Sequence, residues 1–161
     1  MRYKGYELSL LLGAWARLAL ADVRLRCLPW SWNRAWVFRG DPALLPEPEG
    51  RARGRAAEVY AAVSAAGSKS GPFLMSCLRR ALVARAILGR EGIRMEIAFG
   101  RVKAKKASPG VTFAHAWLQA GNFSVGRGSE EGIEPLSPLE MRIKLGAKSG
   151  VAPGGEAGSG A

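Results

Sequence analysis

Between residues 7 and 26, Leu8, Leu11, Leu12 and Trp15 recur at i, i+3, i+4 and i+7, and Leu18 and Ala19 extend the stripe. That spacing predicts an amphipathic helix whose stripe packs on a core. The alternative is the same face laid on a membrane surface or a partner. Pro29 breaks the pattern, and Trp30, Trp32 and Trp36 follow in a tryptophan-dense connection. The apolar area of three tryptophans assigns that connection to the core. Residues 40–55 hold Gly40, Asp41, Pro42, Pro46, Pro48, Gly50 and Gly54 among charges, the composition of a linker or surface loop. Alanine-rich residues 56–66, with Val59, Tyr60 and Val63, predict a second helix that ends in Gly67 to Pro72.

The strongest helical pattern runs from Cys77 to Arg90. Cys77, Ala81, Ala84 and Leu88 fall on one face at i, i+4, i+7 and i+11. Leu78 and Leu82 widen that face on one side and Ile87 on the other, with Arg79 and Arg90 roughly opposite and Arg80 and Arg85 at the margins. The cysteine therefore shares the inward face, and Gly89 and Gly92 mark the stop. Residues 94–100 then change period: Met95, Ile97 and Phe99 alternate with Arg94, Glu96 and Ala98, a half-buried strand. A basic loop over 101–112 leads to a second strand over 113–119. Gly121-Asn122 suits a hairpin turn, because both residue types tolerate positive φ, and a third strand begins at Phe123. Residues 127–146 read as irregular or weakly helical. From Ala147 the chain is mostly Gly, Ala, Ser and Pro without periodicity, and disorder is expected.

Composition refines this picture in two places. At 161 residues with 48% hydrophobic content, the chain is long and apolar enough for one domain with its own core. Its net charge of +11 and pI near 10.5 favour an acidic partner: nucleic acid, anionic lipid or an acidic peptide. No helix-turn-helix, zinc finger or aromatic RNA-binding strand motif is present, so no specific nucleic-acid partner is expected. Two cysteines make no disulfide framework, and a single histidine makes no usual zinc site. A reducing cytoplasm follows as the expected compartment. Arg17 and Asp22 interrupt the N-terminal apolar run, which leaves it too short to span a bilayer and unlike a secretory signal.

The candidate chemistry is a cysteine at a helix start and a histidine on a later strand. The thiolate is the nucleophilic form of cysteine, and the positive end of a helix favours it. A neighbouring imidazole can take a proton and return it. Each residue has a plainer reading. A cysteine outside a disulfide is commonly a small buried hydrophobe, which suits Cys27 beside Leu28 and Pro29, and a strand histidine is commonly structural. The order of Cys77 and His115 and their predicted contexts favour catalysis for the pair. Trp117, two residues after His115, shares its face and either shields the site or belongs to the core. Lys103, Lys105 and Lys106 are either a solvated loop or a patch that holds an acidic peptide near the site.

Four short pieces, in order, carry a resemblance: Cys77-Leu78-Arg79-Arg80-Ala81-Leu82, Leu88-Gly89-Arg90-Glu91-Gly92-Ile93, Ile97-Ala98-Phe99-Gly100 and Ala114-His115-Ala116-Trp117-Leu118. The Leu/Ala/Arg helix ending near Pro29 accompanies them. Over residues 8–30 and 57–126 the chain resembles the standalone leader peptidases of lasso-peptide biosynthesis, B-type proteins with a transglutaminase-like core. The resemblance implies an α+β fold of the transglutaminase-like or papain-like kind, with the Cys helix packed on a small antiparallel sheet bearing the His. The organisation is then an N-terminal helix and tryptophan-rich connection (1–39), a linker or loop (40–55), a catalytic core (56–146) and a disordered tail (147–161).

The implied activity is removal of the leader from a ribosomally made precursor peptide. Cys77 acts as nucleophile, His115 as general base and then acid, and a thioester is resolved by water. Implied partners are the precursor, a separate leader-recognition protein that adds the leader as an extra strand, and an ATP-dependent cyclase. A peripheral membrane contact of the first helix is a further partner, and no cofactor is needed. The family places an acid about a dozen residues past the histidine to orient the imidazole. Here Arg127 stands in that place. Three accounts compete: a shift of register brings in Glu130 or Glu131, with Glu130 taken as the third member; Asn122 or Ser124 orients the ring; or activity is weak or lost. The backbone N–H of Cys77 is a natural oxyanion donor, but residues 71–76 offer no Gln or Asn beside it. The other function classes are a non-catalytic scaffold of the same fold and a basic nucleic-acid-binding module.

Overall fold

A computed structural model describes residues 2–3, 6–68, 76–102, 113–128 and 133–136. A short pair of strands, β1 (Arg2–Tyr3) and β2 (Tyr6–Glu7), precedes the long helix α1 (Leu8–Cys27). Then come α2 (Trp30–Val37), a 3-10 turn at Pro42–Leu44, α3 (Arg51–Ser68) and α4 (Cys77–Arg90). The strands β3 (Glu96–Val102), β4 (Phe113–Ala120), β5 (Phe123–Val125) and β6 (Ile133–Leu136) complete an antiparallel sheet ordered β5-β4-β3-β6. The class is α+β: helices α1, α3 and α4 pack on one another, and α4 rests on β4 and β3.

The helical faces that meet are built from small residues. Ala14 and Ala21 on α1, Ala56 and Ala66 on α3, and Ala81 and Ala84 on α4 are all buried in one cluster, with Leu18, Val59, Val63, Leu82 and Leu88 filling between them. Small side chains at the contact set a short distance between helix axes. They also decide which stripe of α1 turns inward. The buried face is Ala14, Leu18 and Ala21, with Leu11 and Leu25 half-buried along it, a 3,4,3,4 spacing. Leu8, Leu12 and Trp15 of the expected stripe are instead 37%, 61% and 46% exposed. Two apolar stripes overlap on this helix, and close packing against α3 and α4 selects the one richer in alanine.

Other departures have local causes. The segment expected as a connection is α2. Pro29 starts it rather than blocking it, since its carbonyl accepts from the N–H groups of Trp32 and Asn33 at 3.0 and 3.3 Å. Buried Asn33 donates its side-chain amide to Leu28 O at 3.0 Å and Pro29 O at 3.4 Å, fixing the corner between α1 and α2. Trp30 and Trp36 pack on the core, whereas Trp32 is 67% exposed. Helix α3 starts at Arg51, inside the stretch read as linker. Its polar first turns are held by Arg55, which pairs with Glu58 at 3.0 Å and Glu91 at 2.8 Å. β6 replaces part of the irregular stretch after residue 127 and pairs with β3 through Phe99↔Leu136 and Val102↔Ile133. Its Pro135 is compatible with an edge strand, which has no ladder partner on one side among the described residues. The tail from residue 147 lies outside the described residues.

Candidate active site

Cys77 is the first residue of α4, half-buried, outside any disulfide, and packed against the core. Ser76 caps the helix: its Oγ accepts from the Arg79 N–H at 3.5 Å and from Arg79 Nη1 at 3.3 Å. The N-terminal end of an α-helix carries partial positive charge, which favours a thiolate and a developing oxyanion beside it. Arg79 is itself held by Asp22 of α1, with Nη2 2.6 Å from Oδ1, and Arg26 lies on the other oxygen at 2.9 Å. Asp22 is only 2% exposed. An acid in the buried stripe of α1 thus reaches, through Arg79, the cap of the cysteine helix.

His115 lies on β4 opposite Gly100 of β3. Helix α4 ends at Arg90 and the chain reverses at Gly92 (φ +77) before β3. Tyr60 links the two candidate residues: its phenol lies within electrostatic range of Cys77 and packs against Gly126, whose carbonyl meets the His115 ring. The imidazole is half-buried and stacks on Trp117, with centroids 6.0 Å apart and planes at 25°. Trp117 is fully buried, donates its Nε1–H to Gln119 Oε1 at 3.2 Å, and has the Arg127 guanidinium 5.5 Å from its ring.

The ring is oriented by a backbone group. His115 Nε2 lies 2.8 Å from the carbonyl oxygen of Gly126. A carbonyl only accepts, so Nε2 carries the proton, and in the neutral ring Nδ1 is the bare, basic nitrogen. Gly126 has φ +80, and a Cβ there would fall 2.0 Å from Tyr60 Cζ. Glycine is thus required for both backbone and space. Tyr60 of α3 also senses Cys77. Burial raises the phenol above its ordinary value, the charge of Cys77 raises it further, and Arg80 acts in the opposite direction. Tyr60 is therefore a neutral hydroxyl packed on the loop that holds His115 and within electrostatic range of the sulfur.

A sequence model of the transglutaminase-like superfamily matches residues 17–141, well over half of the chain. The chain belongs to the transglutaminase-like superfamily. No curated protein and no solved structure matches it significantly. The transglutaminase-like match starts within α1 and runs past β6, so it takes in Asp22, Tyr60, Cys77, His115 and Gly126.

Within this transglutaminase-like domain, the residues expected to orient His115 are placed as follows. Glu130 and Glu131 lie outside the described residues. Asn122 sits in the β4–β5 turn, where its N–H donates to Glu47 Oε1 at 2.9 Å, and Ser124 is opposite Gln119, four residues along the strand from His115. Neither is brought to the imidazole. Arg127 is beside Trp117. Cys27 is exposed at the end of α1, not buried as its apolar neighbours suggested. Gly126, Tyr60 and Asp22 escaped the sequence reading. A backbone acceptor has no side-chain signature. Tyr60 looks like one more member of an apolar face. Only Asp22 gave a signal: an acid within an apolar stripe is buried only when paired.

Proposed function

We propose that the protein is a cysteine peptidase that removes the leader from a ribosomally made lasso-peptide precursor. The observation that carries the catalytic part is the bond from His115 Nε2 to the carbonyl of Gly126, a glycine against which Tyr60 packs within electrostatic range of Cys77. In this reading the Cys77 sulfur attacks the scissile carbonyl while its proton passes to His115 Nδ1. The tetrahedral oxyanion develops at the positive, N-terminal end of α4. Its collapse breaks the C–N bond, and His115 returns the proton to the leaving amine. Water, deprotonated by His115, then releases the acyl group from the thioester.

A carbonyl in place of an acid supplies half of what the third member normally supplies. It fixes the tautomer and the ring orientation, but it carries no full negative charge to stabilise an imidazolium. Loss of the correct tautomer is the costly part where a triad acid is replaced by its amide. The carbonyl avoids that loss.

The leader-specific part rests on Ala114-His115-Ala116-Trp117 and the Cys77 helix, which are similar to the lasso leader peptidases. It brings the proposed partners: the precursor, a separate leader-recognition protein and an ATP-dependent cyclase in the cytoplasm. The test combines purified protein, its recognition partner and precursor, followed by mass spectrometry, with Cys77→Ala and His115→Ala in parallel. Leader release by the wild type, abolished in the first variant and reduced about 100-fold or more in the second, supports the reading. Intact precursor with the wild type favours the second reading, a non-catalytic scaffold of the same fold. The observation behind that reading is that a neutral carbonyl, not a carboxylate, holds Nε2.

A further inference from the structure

The outer face of α1 is apolar, and nothing among the described residues covers it. At 100° per residue, Trp15, Leu8, Ala19, Leu12, Val23 and Leu20 fall in an arc of roughly 140°. The large members are well exposed, up to 61% at Leu12 and 68% at Leu20. The buried stripe of the same helix points the other way, into the core. This outer face is a contiguous apolar strip along a helix about 30 Å long, and such exposure marks an interaction surface.

The charges around the strip select its occupant. Apart from buried, paired Asp22, α1 and α2 contain no acid, while they carry Arg17, Arg24, Arg26 and Arg34. On α1, Arg17 and Arg24 lie along one margin of the strip, and Arg26 falls on the strip's own side at the C-terminal end of the helix, where it pairs with Asp22. Leucines and a tryptophan on one face, with arginines along one margin, fit a helix lying in the plane of a lipid interface. No helix of the described residues is long and apolar enough to cross a membrane, so the contact is superficial. A second copy would bring the same arginines and another +11 against the first, with no exposed acid on either helix to answer them. An anionic bilayer supplies both the apolar depth and the negative surface.

We infer that α1 is a membrane-docking helix that lays Leu8, Leu12, Trp15, Leu20 and Val23 into the surface of an anionic bilayer. The test is co-flotation of the full chain with phosphatidylcholine vesicles and with vesicles containing one quarter phosphatidylglycerol. Wild type is compared with Leu12→Gln/Leu20→Gln, whose positions are exposed and whose thermal unfolding should match the wild type. The expected result is binding to the anionic vesicles only, reduced about tenfold or more in the variant. Equal binding to neutral vesicles, absence of binding, or full binding by the variant overturns the inference. So does sedimentation showing a dimer that the double variant dissolves, since a second copy would then occupy the face. Leader release is not part of the readout, so this test and that of the peptidase fail independently.

Discussion

Two arginines on α4 are paired with acids, and the pairs differ in how completely they are satisfied. Arg85, in the second half of the helix, is 7% exposed. It donates to Glu96 at 2.7 Å, to Val37 O at 3.1 Å and to Trp36 O. One guanidinium thereby ties α4 to the end of α2 and the start of the sheet. Burial lowers its pKa, with Glu96 acting in the opposite direction. Arg79, in the first turn, is 2.6 Å from Asp22 Oδ1, yet that contact is misaligned and Oδ1 has no hydrogen bond. Arg79 Nε is likewise buried without a hydrogen-bond partner among the described residues. The first pair is a structural clamp. The second is incompletely satisfied, and it stands beside the cap of the cysteine helix. Buried polar groups left short of partners are rare enough to require a reason. Arg79 reaches both Asp22 and the Ser76 cap, and serving two partners at once leaves neither contact ideal.

The contrast can be broken from either end. Replacing Arg85 by Met strands Glu96 and two carbonyls, and about 3–5 kcal/mol of stability should disappear. A urea midpoint measures this, and the alkylation rate of Cys77 in the folded fraction should stay within twofold. Gly126→Ala strikes the other end. Its Cβ cannot coexist with the Tyr60 ring, so the carbonyl must leave His115 or Tyr60 must move. A loss of about 1–3 kcal/mol is expected, with a larger proportional loss of leader release than Arg85→Met gives. Asp22→Asn keeps the shape but removes the countercharge of Arg79. It should cost about 1–3 kcal/mol and, unlike Arg85→Met, slow alkylation of Cys77 severalfold. Tyr60→Phe is the mildest change. The folded-state pKa of Tyr60 lies above the ordinary 10.0, so its contribution to stability is full below pH 10 and is lost as pH rises further. Urea midpoints at pH 9 and pH 11 should therefore fall less in Tyr60→Phe than in the wild type.

The sequence was most legible where one pattern had one solution. Cys77 to Arg90 had a period of 3.6 and a stop at Gly89 and Gly92, and α4 has those bounds. The alternation of Met95, Ile97 and Phe99 placed β3 within two residues, and Gly121-Asn122 marked the hairpin into β5. Legibility failed where two patterns competed or where no side chain carried the information. On α1, leucine counts favoured Leu8, Leu12 and Trp15, but helix-to-helix distance favoured alanine. β6 has four residues, one of them Pro135, and owes its form to pairing with β3. At the site, Cys77 and His115 were legible as types at a spacing. The acceptor on His115 was not, because Gly126 O belongs to the backbone and reaches the ring only through the fold.

If His115 and Cys77 work as one unit, the imidazole sets the rate at which iodoacetamide alkylates Cys77 at neutral pH, with Cys27→Ser removing the exposed second thiol. Wild-type His115 is compared with His115→Ala. An imidazole that takes the thiol proton should make alkylation about tenfold faster or more than in the variant. Equal rates, in two proteins with the same unfolding midpoint, would contradict the account.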